Sequence, residues 1–119
     1  MSDPWPSELH LARDRRSLTV VFEGNPDPVS LSAEYLRVES PSAEVKGHGP
    51  GQEQLVWGKR NITIQRLEPV GNYALRIIFD DGHSTGLYTW AYLAMLGQRH
   101  DEIWNTYLAK LKAEDRGRG

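Results

Sequence analysis

No cysteine occurs anywhere in the 119 residues. That absence excludes disulfides, thiolate nucleophiles, cysteine-bound zinc and a self-ligated iron–sulfur cluster together. It fits a reducing compartment, so a cytoplasmic location is expected. A basic block is missing too: 14 Lys and Arg are scattered among 16 Asp and Glu, for a formal charge of −2. Nucleic-acid binding leaves a basic patch or stripe, so nucleic acid is not an expected partner. Long hydrophobic runs are equally absent. The longest, Trp90 to Leu96, falls far short of the ~20 residues that span a bilayer. The opening MSDPWPSELH has neither the basic nor the apolar region of a signal peptide. No membrane association is expected.

What is present is ordinary for a globular chain, at 39% hydrophobic and 25% charged residues. A chain of this length makes one domain and buries roughly two-thirds of its unfolded surface, enough for a core without staples. Residues 1–7 hold two prolines and little periodicity and are expected to be disordered, as is the polar tail 113–119, which leaves 8–112 as the domain. Leu9 and Leu11 alternate with polar neighbours, "DRRS" reads as a turn, and "LTVVFE" from Leu18 is β-rich, so the three predict a hairpin. Ser32 caps a short helix through "AEYLRV", with Glu34 in its first turn. Ser40 followed by Pro41 reads as a second helix start, ended by Gly47.

"GHGPGQEQ" is an irregular loop, and "NITIQRLEPV" and "YALRIIF" are strands joined at Gly71-Asn72. Asp81-Gly82 predicts a type I′ hairpin corner. "TWAYLAMLG" changes period to that of a helix closing on Gly97, and Asp101 caps a last helix. The stripe of that last helix is Ile103, Trp104, Tyr107, Leu108 and Leu111. Strands first and helices last predict an α+β fold, a mostly antiparallel sheet with short helices and a C-terminal helix pair packed on it.

Three chemical patterns invite a functional reading. Gly82-His83-Ser84-Thr85-Gly86 matches G-x-S-x-G letter for letter. A nucleophile elbow needs a strand straight into the serine and a helix out of it, whereas here a turn precedes and "GLYTW" is extended. The order of a triad also fails, since only His100 follows Ser84 and no Asp or Glu lies between them. Gly58-Lys59 resembles the end of a P-loop, but Glu53 stands where the first Gly belongs and Arg60 where Ser or Thr belongs. No catalytic set assembles, so the chain is not expected to be an enzyme. The third pattern is a metal site for iron or zinc, built from His83 with Asp80 or Asp81 and closed by His48; His10 and His100 are more remote. Its bland counterpart is that Asp80 and Asp81 hydrogen-bond the turn while His83 sits at its edge.

Two blocks, "EYLRVESPSAEVKGHGPGQ" (34–52) and "LEPVGNYALRIIFDDGHSTGLYTWAYLAMLG" (67–97), resemble the gamma-butyrobetaine hydroxylase-like N-terminal domain family. The likeness runs from about Leu9 to Leu111 and rests on Leu-Arg with Ser-Pro, Gly-His-Gly, Gly-Asn-Tyr and Asp-Gly-His in combination. Domains of this family stand alone in bacteria, precede the catalytic part of carnitine-pathway 2-oxoglutarate oxygenases, or are appended to Mrp-type iron–sulfur carriers. In the hydroxylases the histidine of Asp-Gly-His joins three cysteines around zinc; His83 matches it, and the cysteines have no counterpart here. The iron-binding oxygenase domain would follow this one, so the resemblance implies an accessory module. It would contact a protein partner, such as an iron–sulfur carrier, in iron–sulfur protein maturation. The expected contact residues are Arg37, Ser40, Glu44 and His48 in the first block, with Asp80, Asp81 and His83 in the second. The competing expectation is a small iron- or zinc-binding protein using His83, Asp81 and His48.

Overall fold

The computed structural model describes residues 4–42, 45 and 55–119. Two antiparallel sheets of three strands share one core. The first holds β1 (Pro6–Leu11), β2 (Ser17–Phe22) and β3 (Val29–Ser32) in that order. The second holds β4 (Ile64–Val70), β5 (Ala74–Phe79) and β6 (Leu87–Thr89). Three helices lie wholly within the described residues: α1 (Ala33–Val38), α2 (Trp90–Gln98) and α3 (His100–Ala113). The α+β expectation holds, with the strands divided between two sheets. β1 begins at Pro6, inside the segment expected to be disordered.

Alternation explains why the two middle strands lie inside. In β2 it turns Leu18, Val20 and Phe22 inward, and in β5 it turns Leu75, Ile77 and Phe79 inward. Leu31, Tyr35, Leu36, Leu93 and Leu96 fill the space between them. Arg15 ties one sheet to the other. Its main chain accepts the Ile64 amide at 2.8 Å, and its guanidinium donates to the Gln65 carbonyl at 2.6 Å.

The helices follow their caps, with three departures. Ser32 Oγ accepts the Tyr35 amide at 3.0 Å, as its position predicts. Ser40 and Pro41, read as a helix start, are not themselves helical: Ser40 Oγ lies 2.8 Å from His83 Nε2 and takes the Ser42 amide at 3.4 Å. Val45 further on is helical, and Gly47, the expected end, lies outside the described residues. Gly97 does not end α2. It lies inside the helix, where a Cβ would come within 2.4 Å of Val29 Cγ1, so it is the small residue that lets α2 close on β3. Asp101 falls in the first turn of α3, and Arg99 is the capping residue, pairing with Glu102 at 2.7 Å.

α3 ends in a Schellman motif: the Arg116 amide reaches Leu111 O at 2.8 Å and the Asp115 amide reaches Lys112 O at 3.1 Å. Asp115 adopts the left-handed φ of 54° that this motif requires, and so turns the chain back over the molecule. It then pairs with 58–60, through Gly58 N to Gly117 O at 3.0 Å and Arg60 N to Arg118 O at 2.7 Å.

Candidate functional site

The site forms where the end of α1 meets the β5–β6 loop. A six-residue helix leaves its last carbonyls without helical partners. Here two tyrosines, Tyr88 buried and Tyr92 partly buried, supply them: Tyr88 Oη donates to Leu36 O and Tyr92 Oη to Glu39 O, each at 2.5 Å. Tyr35 in α1 donates in turn to Leu96 O at 2.7 Å. Burial, with the Glu39 carboxylate adding to it, pushes these phenols well above their ordinary range, Tyr35 to about 12. They remain donors at any physiological pH. The chain leaving α1 is thereby fixed in direction.

The loop opposite starts with a tight turn. Gly82 N donates to Phe79 O and Phe79 N to His83 O, both at 3.0 Å. Among the described residues only Arg15 and Asp115 are non-glycines of positive φ, so Asp81 is not left-handed. The corner is therefore a type I turn with Gly82 (φ 89°) in the left-handed position after it, instead of the expected type I′ pair. Asp80 faces away from the site and pairs with Thr63, its Oδ1 accepting the Thr63 amide at 3.1 Å.

Two contacts join loop to helix. His83 Nε2 lies 2.8 Å from Ser40 Oγ and 3.4 Å from Ser42 Oγ, with Ser40 and His83 both buried. Gly86 makes this approach possible: a Cβ there would sit 2.5 Å from Ser40 Oγ and 3.1 Å from Pro41 Cδ. Asp81 makes the second contact. Its Oδ2 accepts Arg37 Nε at 2.9 Å and Lys59 Nζ at 2.7 Å, while Oδ1 accepts the His83 amide at 3.0 Å. Burial raises the Asp81 carboxyl, but the bonds from Lys59, the His83 amide and Arg37 outweigh it and bring it down to about 2. Arg37 Nη1 is buried and has no hydrogen-bond partner among the described residues.

Of the expected contact residues, the structure brings together Arg37, Ser40, Asp81 and His83. Asp80 points elsewhere, and Glu44 and His48 lie outside the described residues. Ser42, Lys59, Gly86, Tyr88 and Tyr92 were missed as members. Lys59 was legible only as a failed P-loop lysine and Gly86 only as the end of a failed hydrolase motif.

The zinc that the family resemblance implies does not fit the donors described. Asp81 is already neutralised by two cations, and a metal would have to displace Lys59 and Arg37 from it. His83 directs Nε2 at hydroxyls, and no cysteine exists. Among the described residues no group of three His, Asp or Glu side chains comes together. The serine of G-x-S-x-G stands in the loop, with neither a strand before it nor a helix after it. Among the described residues no helix is long and apolar enough to cross a membrane.

Comparison with known proteins agrees with this fold. An NMR solution structure of a protein shares 44% identity and a TM-score of 0.84, covering 98% of this chain and 91% of that one. A second NMR solution structure shares 45% identity and a TM-score of 0.82, covering 98% and 86%. A crystal structure of a protein of unknown function from Acidithiobacillus ferrooxidans, of the DUF971 family, shares 36% identity and a TM-score of 0.66 over 81% of this chain and 98% of that one. No curated protein matches. Residues 9–94, most of both sheets together with the site between them, match the family described as gamma-butyrobetaine hydroxylase-like, N-terminal, and the chain belongs to that family.

Proposed function

We propose that this domain is a non-catalytic protein-contact module whose contact surface is the β5–β6 loop braced on the end of α1. One observation carries the reading. The exposed residues Asp80, Asp81, Gly82 and Thr85 stand on a base locked by Ser40–His83 and by Asp81 with Arg37 and Lys59. A surface loop held rigid in this way gives up little entropy on binding, which favours recognition. The chemistry points the same way. The carboxylate is neutralised, the histidine is turned inward, and among the described residues of the site no activated nucleophile faces solvent. The family's occurrence beside iron–sulfur carriers makes such a carrier the partner class we put first, with a role in iron–sulfur protein maturation.

The test is comparative co-purification from an extract of the source cells. Thr85→Arg places a long cation in the middle of the surface at an exposed side chain. Asp27→Arg places the same charge on an exposed loop of the other sheet. The wild type and Asp27→Arg should retain the same protein, and Thr85→Arg should lose it. Equal recovery with all three would refute the assignment of the surface.

A further inference from the structure

The C-terminal residues pack on a second surface, apart from the loop. Glu34 is a charged residue on α1 with only 7% of its side chain exposed, and such a group is tolerated only when paired. Its partner comes from the far end of the sequence: Arg118 donates Nε at 3.0 Å and Nη2 at 2.8 Å to the two carboxylate oxygens. That two-pronged geometry suits guanidinium and not ammonium. The same guanidinium lies 5.4 Å from the centre of the Trp104 ring, and Arg116 lies 4.8 Å from that of Trp57. The tail main chain accepts two bonds from residues 58–60, Gly58 N–H to Gly117 O at 3.0 Å and Arg60 N–H to Arg118 O at 2.7 Å. Gly119 packs closely on Arg60, where an added Cβ would come to 3.0 Å from Arg60 Cβ.

We propose that Glu34, Trp57, Trp104 and the 58–60 main chain form a binding site for an arginine–glycine segment, which residues 116–119 of this chain fill as an internal occupant. The recognised chemistry is Arg-Gly-Arg-Gly. The buried carboxylate reads one guanidinium in two bonds, two indole faces take the pair of cations, and the main chain sets the register. A partner protein presenting such a segment would bind by displacing the tail. Because Gly58 and Arg60 hold the tail on either side of Lys59, which itself binds Asp81, an exchange of occupant reaches the edge of the loop surface.

The probe is a synthetic Arg-Gly-Arg-Gly peptide, followed by the fluorescence of Trp57 and Trp104 in the full chain. In Arg116→Ala/Arg118→Ala, checked for folding by circular dichroism, the peptide should give a saturable change at a concentration at least tenfold below that needed with the wild type. Adding Glu34→Gln should abolish it, and a Lys-Gly-Lys-Gly peptide should bind at least fivefold more weakly. Where the double alanine variant does not fold, Arg118→Lys keeps a cation beside Glu34, and the arginine peptide should displace its tail more readily than that of the wild type. Failure of the folded variants to bind, equal binding of the lysine peptide, or binding unaffected by Glu34→Gln would each overturn the proposal.

Discussion

Replacing Asp81 with Asn removes the charge that Arg37 and Lys59 share and leaves the bond to the His83 amide possible. The folded carboxyl titrates at about 2 against an ordinary 3.8. At about 1.4 kcal/mol per pH unit, that difference would amount to roughly 2.5 kcal/mol for a shielded group. Asp81 stands at the surface, and screening by water and salt reduces the figure to about 1 kcal/mol. The sign is that of a depressed acid. The folded state binds the proton less readily than the unfolded chain, so the stabilisation is fully present above 3.8 and is lost as pH falls through about 2. Asp81→Asn should therefore melt about 3–6 °C below the wild type at pH 7. The gap in urea midpoints should hold down to about pH 4 and shrink steadily below it. A gap that is the same at pH 7 and at pH 2.5 would refute the reasoning, as would none at pH 7. Raising the salt concentration should narrow the gap at pH 7.

Three further substitutions test how the glycines and the tail are placed. Gly86→Ala drives a methyl into Ser40 Oγ and should lower stability by about 1–3 kcal/mol in chemical denaturation. It should also shift the NMR signals of the His83 ring. Gly97→Ala should fail to stabilise the wild type, because Val29 Cγ1 stands 2.4 Å from the new carbon. In a Val29→Ala background the same change should add about 0.5–1 kcal/mol of helix propensity, a coupling that a double-mutant cycle measures. Asp115→Gly relieves a left-handed φ of 54° and should raise the melting temperature, by about 0.5–1 kcal/mol in stability. Unchanged or lowered stability there would count against the Schellman ending.

The parts legible in the sequence are those whose cause is local. The alternation of "LTVVF" and "ALRIIF" places the two middle strands, and Ser32 three residues before Tyr35 places α1. What could not be read depends on neighbours distant in sequence. Ser40 beside Pro41 has the form of a helix cap, yet its hydroxyl is taken by a histidine 43 residues away. Gly97 stands where a helix should end, and only Val29 in the other sheet explains it as a packing residue. Asp115 hid a helix ending usually marked by glycine, and the tail beyond it has no apolar side chain to announce that it packs. The Asp-Gly-His turn drew attention for its metal-ligand chemistry. The identities of its neighbours, Lys59 and Arg37 at the carboxylate and two serines at the ring, required the fold.

The account rests on the end of α1 and the β5–β6 loop being one rigid unit. Amide hydrogen exchange tests this directly at Gly82 and His83 in the loop and at Glu39 and Tyr92 around the end of α1. In the wild type these amides should exchange with a common opening free energy, and Gly86→Ala should lower it for all of them together. Loop amides that exchange freely while those of α1 and α2 stay protected, with no joint response to Gly86→Ala, would contradict the account.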